Sequence, residues 1–149
     1  MKILLVASDG GHLAQLLPLD DWWGRHDRHW VTFRKPDAVA ALEGEQVTWA
    51  YHPTTRNLPN ALRNLGLAVQ TLRRLRPDVV VSTGAGVSLP FFVVARFLRI
   101  RTVYIEVFDR VDSPTLTGRL SYPISDAMCS QWPQQRAIYP EAVLIGPTL

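Results

Sequence analysis

Residues 3–12 read Ile-Leu-Leu-Val-Ala-Ser-Asp-Gly-Gly-His, an apolar run that ends in a polar turn with two consecutive glycines. A short run that is almost wholly apolar is typical of a strand covered on both faces. Leucines at positions 13, 16 and 17 follow the turn and predict a helix over residues 11–19. The stretch therefore predicts a strand, a glycine turn and a helix, which is the repeating unit of a parallel α/β sheet.

The glycine turn is also a candidate ligand site. Gly10 and Gly11 permit unusual backbone angles and close approach of the backbone. Free N–H groups at a helix N-terminus favour an anion or a polar ligand, and His12 would lie at the mouth of such a site. The alternative is a tight strand-to-helix turn that binds nothing.

Composition limits the classes of protein to consider. The 149 residues fit one domain, residues 1–149, and the single cysteine, Cys129, indicates a reducing compartment. We expect a cytoplasmic protein, because no apolar run reaches about 20 residues and the first residues lack the pattern of a signal peptide.

The net charge is +3, and arginine supplies 14 of the 16 basic side chains. Arginine suits phosphate and carboxylate partners, whereas no basic run with interleaved aromatics indicates nucleic acid.

Strand and helix patterns alternate along the rest of the chain. The predicted strands are residues 29–33, 46–51, 77–83, 101–106, 127–130 and 142–145, and the predicted helices are 36–42, 57–76, 87–98 and 132–139. We expect the three tryptophans at positions 22, 23 and 30 to pack at the edge of the sheet. The alternation predicts an α/β fold, a Rossmann-like parallel sheet with helices on both faces.

A second glycine turn, Gly84-Ala85-Gly86, follows the strand at 77–83 and repeats the design of the first. Turns at the carboxyl ends of parallel strands face one crevice, which is where ligands bind in open α/β sheets. Neither turn has the spacing of a dinucleotide fingerprint. Glu106 ends a strand at the same rim, where its carboxylate could orient a sugar hydroxyl or a catalytic partner, or could cap the loop that follows.

Two helices carry surfaces that allow two interpretations each. Helix 57–76 places four arginines among its apolar positions, either as a solvated outer face or as a contact with an anionic surface. Helix 87–98 is apolar over a wide arc and ends in arginines. It is either buried on both sides or presents phenylalanines to a membrane.

The motifs together carry a resemblance to a known family. The chain resembles the acceptor-side subunit of two-component glycosyltransferases from bacterial exopolysaccharide and capsule synthesis, which are related to the anchoring subunit of the dolichol-linked GlcNAc transferase. The resemblance covers essentially the whole chain. It is carried by Gly10-Gly11-His12, residues 84–90, Ile105-Glu106, residues 115–120, Gln131-Trp132-Pro133, Tyr139-Pro140 and Gly146.

The resemblance implies a division of labour between two proteins. This chain would be equivalent to the N-terminal half of a GT-B glycosyltransferase, and a separate subunit would bind the nucleotide sugar, which we expect to be UDP-linked. The chain would be a subunit of an inverting hexosyltransferase, inactive without that partner. Its acceptor would be a saccharide on a polyprenyl diphosphate, and the chain would associate peripherally with the inner face of the cell membrane. No cofactor and no metal are expected, since no Asp-x-Asp pair is present.

The resemblance also assigns roles to individual residues. His12 is the candidate base or acceptor contact, because histidine can take a proton near neutral pH, and Glu106 would hold the acceptor or orient His12. The substrate would be bound by Gly10, Gly11, Gly84, Gly86, Val87 and Arg110.

Asp9 is a departure from the family pattern, because it places a negative charge beside the first glycine turn. We therefore expect that turn to form the acceptor side of a split active site rather than a phosphate cradle. Two other hypotheses stay open: a non-catalytic membrane adaptor that positions a catalytic partner, and a free-standing nucleotide-binding domain.

Overall fold

Seven strands form one parallel sheet in the computed structural model, which describes residues 1–149. The strands are β1 Lys2–Ala7, β2 Asp27–Phe33, β3 Val47–Ala50, β4 Val79–Gly84, β5 Arg101–Ile105, β6 Ala127–Ser130 and β7 Val143–Leu144. Their order in the sheet is β3-β2-β1-β4-β5-β6-β7, and every neighbouring pair is parallel. Strands β2 and β3 are therefore added on one side of β1, and strands β4 to β7 are added on the other side. The two glycine turns lie side by side where this order reverses, between β1 and β4.

Helices cover both faces of the sheet, as predicted for a Rossmann-like fold. They are α1 Gly11–Leu16, α2 Asp20–Trp23, α3 Pro36–Ala41, α4 Leu58–Leu75, α5 Ser88–Leu98 and α6 Leu116–Ser121. Side chains of α4 and α5, such as Leu72 and Phe91, pack with Leu4 and Val80 of the strands in one core cluster. Side chains of α1 and α3 pack in the second cluster on the opposite face.

The longest helix, α4, begins and ends as its sequence predicts. The Asn57 side chain accepts a hydrogen bond from the backbone N–H of Asn60, and Pro59 occupies the first turn. Arg76 adopts a left-handed conformation and ends the helix. Ala68 and Leu72 in the second half of α4 pack in the core with α5 and the sheet, so the helix is held by packing as well as by its cap, whereas Leu58 and Leu62 in its first turns are exposed.

The predicted tryptophan cluster packs against β2, the strand next to the β3 edge of the sheet. Trp30 is fully buried, and the Trp23 ring meets it edge to face with ring centres 5.4 Å apart. The indole N–H of Trp23 donates to the carbonyl of Leu16 at 2.9 Å. Trp22 is partly exposed and stacks edge to face on His26.

Short elements depart most from the sequence expectation. The first helix ends at Leu16 and continues as a 3₁₀ turn over Leu17–Leu19, because Pro18 removes a backbone donor. Helix α6 has no counterpart among the predicted helices, and it exists because Thr115 caps it by accepting from the N–H of Gly118. The segment after β6 is a 3₁₀ helix, Pro133–Ala137, and β7 has two residues only.

Helix α5 is buried over most of its length, as the first of its two interpretations predicts. Phe91 and Phe92 are fully buried between the sheet and neighbouring helices, whereas Phe97 is 83% exposed at the helix end. Among all the helices, none has both the length and the apolar character needed to cross a membrane. On the opposite face of the sheet, β4, β5 and β6 border an apolar groove of about 1000 Å³ that Val81, Val103 and Ile105 help to line.

Candidate functional site

The first glycine turn is closed to an anion by the chain's own carboxylates. Gly10 has a φ of 67°, in the region that favours glycine, and its N–H donates to Oδ2 of Asp37 at 3.0 Å. Beside it, Asp9 and Lys35 form an ion pair at 3.1 Å. Helix α1 has only six residues, so its dipole adds little attraction for a ligand. The structure agrees with the expectation that this turn is not a phosphate cradle.

His12 is held by two hydrogen bonds to the strand beside it. Its Nδ1 lies 2.9 Å from the carbonyl oxygen of Thr83, and the hydroxyl of Thr83 donates to the carbonyl of His12 at 2.7 Å. A carbonyl oxygen can only accept, so Nδ1 of the neutral ring carries the proton and Nε2 carries the lone pair. Nε2 has no partner in the chain and is not among the buried polar atoms. His12 therefore presents an open proton acceptor at the rim of the sheet.

The second glycine turn lies against His12. Gly84 has a φ of 107°, and a Cβ there would overlap the Tyr104 hydroxyl and lie 3.6 Å from Cε1 of His12. A side chain at position 84 would therefore be strained in its backbone and would clash with Tyr104. The glycine allows β4 to end directly beside the imidazole, which brings two predicted site residues together.

Three consecutive backbone donors follow Gly84. The N–H groups of Ala85, Gly86 and Val87 have no acceptor in the chain, and they precede the eleven-residue helix α5. Val87 is fully buried, backbone included, so it packs in the core and the structure does not support its predicted contact with the substrate; only the N–H groups of Ala85 and Gly86 are on residues that reach the surface. Thr54 covers one side of this turn, since a Cβ on Gly86 would lie 2.9 Å from its hydroxyl. The first turn also leaves N–H groups free, on residues 11–13, but Asp9 and Asp37 lie beside it, so the charges favour an anion at the second turn.

Glu106 is not at the open rim where the sequence pattern predicts it. The residue is 0% exposed, and its carboxylate accepts from the N–H of Val107, the N–H and hydroxyl of Thr115, and the hydroxyl of Tyr139. None of these bonds involves His12, whose ring is oriented by Thr83. The structure therefore favours the alternative in which Glu106 caps the loop after β5, because its oxygens are occupied by that loop and by Tyr139.

The pocket around Glu106 is built to fit its carboxylate. A Cβ on Gly118 would lie 2.6 Å from the Tyr139 hydroxyl and closer still to Oε2 of Glu106, so glycine is required there. Burial, followed by the hydrogen bond to Glu106, raises the pKa of Tyr139 above its ordinary value. Burial likewise raises the pKa of Tyr104. Both phenols stay protonated, so Tyr139 donates to Glu106 and Tyr104 donates to the Thr115 hydroxyl.

Arg110 lies on the loop after β5, with an exposed side chain. Its carbonyl accepts from the side-chain amide of Gln135, whose carbonyl oxygen accepts in turn from the N–H of Gln131. The loop is thus fixed at the rim, and the guanidinium has no ion-pair partner. No cluster of three histidine, cysteine, aspartate or glutamate side chains is arranged to hold a metal ion.

Sequence reasoning missed the buried glutamines that join the loops of the rim. Gln15, Gln131 and Gln135 are nearly inaccessible to solvent, and all three bond to backbone or side-chain groups of neighbouring loops. In the sequence, Gln131 stands out only as part of a motif. One signal could have identified Gln15 from the sequence. It lies at a position of α1 that faces the sheet, and a buried amide requires hydrogen-bond partners.

Comparison with known proteins agrees with this architecture. The family described as "Oligosaccharide biosynthesis protein Alg14 like" matches residues 51–148. The human UDP-N-acetylglucosamine transferase subunit ALG14 is 30% identical over 177 residues, a match that covers 98% of this chain and 82% of the human protein. In Syntrophotalea carbinolica, the UDP-N-acetylglucosamine--N-acetylmuramyl-(pentapeptide) pyrophosphoryl-undecaprenol N-acetylglucosamine transferase is 32% identical over 91 residues, which covers 60% of this chain and 25% of that enzyme.

Among solved structures, MurG of Acinetobacter baumannii has a similar fold, with a TM-score of 0.74 at 16% sequence identity. The match covers 89% of this chain and 41% of the MurG chain, so the fold corresponds to somewhat less than half of that GT-B structure. The family match spans most of the chain, and the human relative aligns with nearly all of it. The chain therefore belongs to the Alg14 family.

Proposed function

We propose that this chain is the acceptor-side subunit of a two-component inverting glycosyltransferase. The enzyme transfers a sugar from a UDP-linked donor to a saccharide on a polyprenyl diphosphate, in exopolysaccharide or capsule synthesis. The observation that carries the proposal is the open Nε2 of His12 next to a turn whose accessible residues, Ala85 and Gly86, have unpaired N–H groups. The relatives named as a transferase subunit and as an undecaprenyl-linked transferase support the reaction class.

The chemistry assigned to His12 is general base catalysis. Nε2 accepts the proton of the acceptor hydroxyl while that oxygen forms its bond to C1 of the donor sugar. The bond from C1 to the nucleoside diphosphate breaks on the opposite side, which inverts the anomeric centre. The Thr83 carbonyl keeps Nδ1 protonated, so the lone pair stays on Nε2 where the acceptor lies.

The second glycine turn is the proposed site for the diphosphate of the acceptor. The N–H groups of Ala85 and Gly86 have no acceptor in the chain, belong to residues that reach the surface, and precede the N-terminus of α5, where the helix dipole favours negative charge. Asp9 and Asp37 repel an anion from the first turn. These charges favour the diphosphate at the second turn and the sugar at His12. The exposed Arg110 borders the same rim and is available to the diphosphate.

A separate donor-binding subunit is the proposed partner. The chain matches less than half of a GT-B structure, and its human relative is named as a transferase subunit. The active site would form between the carboxyl rim of this sheet and the partner's nucleotide-sugar site, so the isolated chain would be inactive.

The inner face of the cell membrane is the second proposed partner. Leu58 and Leu62 are 71% and 61% exposed on the first turns of α4, and Leu116 is 73% exposed on α6. Both helices begin at loops that leave the carboxyl rim, so these leucines lie on the side where a lipid-linked acceptor would arrive. The exposed Arg63 and Arg119 on the same helices form no ion pair and suit anionic headgroups.

Reconstitution of the transfer tests the proposal. The chain is co-expressed with the product of the neighbouring reading frame, as the candidate donor-binding subunit, and membranes are assayed with a panel of nucleotide sugars. We expect product only when both subunits are present. Transfer by this chain alone would contradict the two-subunit assignment.

Substitution of His12 separates catalysis from an adaptor role. We expect His12→Ala to slow transfer at least about 100-fold while complex formation persists, which is the range of general base catalysis. His26→Ala is the matched control, since His26 lies beyond α2 at the opposite end of the sheet. Full transfer by the His12 variant would instead support the non-catalytic adaptor.

A further inference from the structure

Two buried glutamine side chains connect parts of the rim that are far apart in sequence. The amide nitrogen of Gln131 donates to the side-chain oxygen of Gln15 at 2.8 Å and to the carbonyl of Glu106 at 2.9 Å. The amide oxygen of Gln131 accepts from the N–H of Thr148 at 2.9 Å and from its hydroxyl at 3.0 Å. Gln131 therefore uses both donors and both acceptor directions.

Gln15 extends this connection to the His12 turn. Its oxygen also accepts from the N–H of Phe108 at 2.8 Å, and its nitrogen donates to the carbonyl of Gly11 at 3.1 Å. A continuous chain of hydrogen bonds thus runs from Thr148 through the two glutamines to Gly11, the residue before His12.

Each of these two side-chain amides can form all of its hydrogen bonds in one orientation only. Reversing the Gln131 amide would set its nitrogen against the N–H of Thr148 and its oxygen against two acceptors. Buried polar groups are costly unless they are bonded, and a fully bonded network selects one arrangement. An apolar pair could fill the same space, but it would not hold the loops at defined positions.

We infer that Gln15 and Gln131 are positioning residues that set the His12 turn from the segment that follows β7, residues 146–149. The inference rests on the proposed function for its effect on transfer, while its structural part concerns this chain alone. A change at Thr148 then reaches His12 through the two amides, although Thr148 touches neither His12 nor the second glycine turn. A contact that moves residues 146–149 adjusts the base by the same route.

Two substitutions perturb the chain at its two ends. Gln15→Glu keeps an oxygen for Phe108 and Gln131 but loses the donor to Gly11, so it breaks the last connection only. Thr148→Val removes the hydroxyl bond to Gln131 but leaves the backbone N–H bond, so it weakens this end of the chain, and Thr148→Ser keeps both bonds. Gln134→Glu is the matched control, because Gln134 is exposed and carries the same change of charge.

Two measurements on the full chain test the inference. In the isolated chain, we expect the imidazole ¹H–¹⁵N signals of His12 to shift in Gln15→Glu and in Thr148→Val, and to stay in place in Thr148→Ser and Gln134→Glu. In the complex with saturating partner, we expect kcat to fall about tenfold in the first two variants, the scale of one lost hydrogen bond, with KM for the nucleotide sugar unchanged.

The double variant distinguishes a connected chain from two separate defects. Because both substitutions interrupt one path, the Gln15→Glu/Thr148→Val variant should lose little more kcat than either single variant. Additive losses, or His12 signals that ignore Thr148→Val, would overturn the inference. If the wild-type complex itself transfers no sugar while the His12 signals still respond to the substitutions, the proposed function fails and the positioning network stands.

Discussion

Replacing Glu106 by glutamine separates a structural role from a catalytic one. The two carboxylate oxygens accept from four donors, and two of these donors are the backbone N–H groups of Val107 and Thr115 on opposite oxygens. A glutamine has one acceptor oxygen, so either orientation of its amide sets an NH₂ group against a backbone N–H. The hydroxyls of Thr115 and Tyr139 can rotate to accept, but the backbone cannot.

The expected loss of stability follows from that mismatch. One charge-assisted hydrogen bond is lost and one buried backbone donor is left without a partner, so Glu106→Gln should lower the free energy of unfolding by about 2–3 kcal/mol. For a chain of this size that is a fall in Tm of about 5–10 °C. Transfer per folded molecule should change less than about threefold, because Glu106 touches neither His12 nor the second glycine turn.

Thermal and urea unfolding measure the first effect, and transfer with saturating partner at a temperature well below the variant's Tm measures the second. Glu141→Gln is the control, since Glu141 is exposed and its substitution removes the same charge. A variant that unfolds at the wild-type temperature yet transfers sugar about 100-fold more slowly, the scale of a lost acid–base group, would refute the structural assignment and restore Glu106 to the catalytic role.

Three further predictions concern the turn, the core and the surface. Gly84→Ala should unfold at markedly lower temperature, because its φ is 107° and its Cβ would overlap the Tyr104 hydroxyl, whereas Gly10→Ala, with open space around its Cβ, should cost only about 1–2 kcal/mol in denaturant melts. Burial lowers the pKa of His29 below that of the unfolded chain, so the unfolded state binds more protons and stability should fall as pH drops below about 6.5. Urea melts at pH 7.5 and 5.5 should show a smaller difference for His29→Gln than for the wild type. Leu62→Asp should reduce co-sedimentation with anionic vesicles, whereas Val39→Asp, on α3 and also exposed, should not.

The central strands of the sheet could be predicted from sequence because both of their faces are buried. Strands β1 and β4 are buried on both sides and read as continuous apolar runs, so their positions follow from composition alone. Helix α4 was equally clear, since it has a cap and a sustained helical period. By contrast, α6 depends on the Thr115 cap and on the space that Gly118 leaves for Glu106, and neither contact has a periodic signal.

The candidate site was predictable in part. Two glycine turns at one rim follow from the parallel topology, and the structure places Gly84 beside His12 as that topology requires. The role of Glu106 could not be predicted from the sequence, because the side chain of a residue that follows a strand can point along the rim of the sheet or into the layer beneath it. Its partners Thr115 and Tyr139 lie 9 and 33 residues away in sequence. Only the packing of these distant segments determines the direction of the carboxylate.

The two glycine turns differ in function because of residues outside them. Both follow a buried strand, precede a helix and leave backbone N–H groups free, yet Asp9 and Asp37 lie beside the first turn, and Asp37 accepts from the N–H of Gly10. Under the proposed function the diphosphate must therefore bind at the second turn. Cε1 of His12 lies only 3.6 Å from the position that a Cβ on Gly84 would take, so the base and the free donors are neighbours. The reacting hydroxyl of the proposed acceptor would then lie close to its diphosphate, because His12 adjoins the turn that would bind that diphosphate.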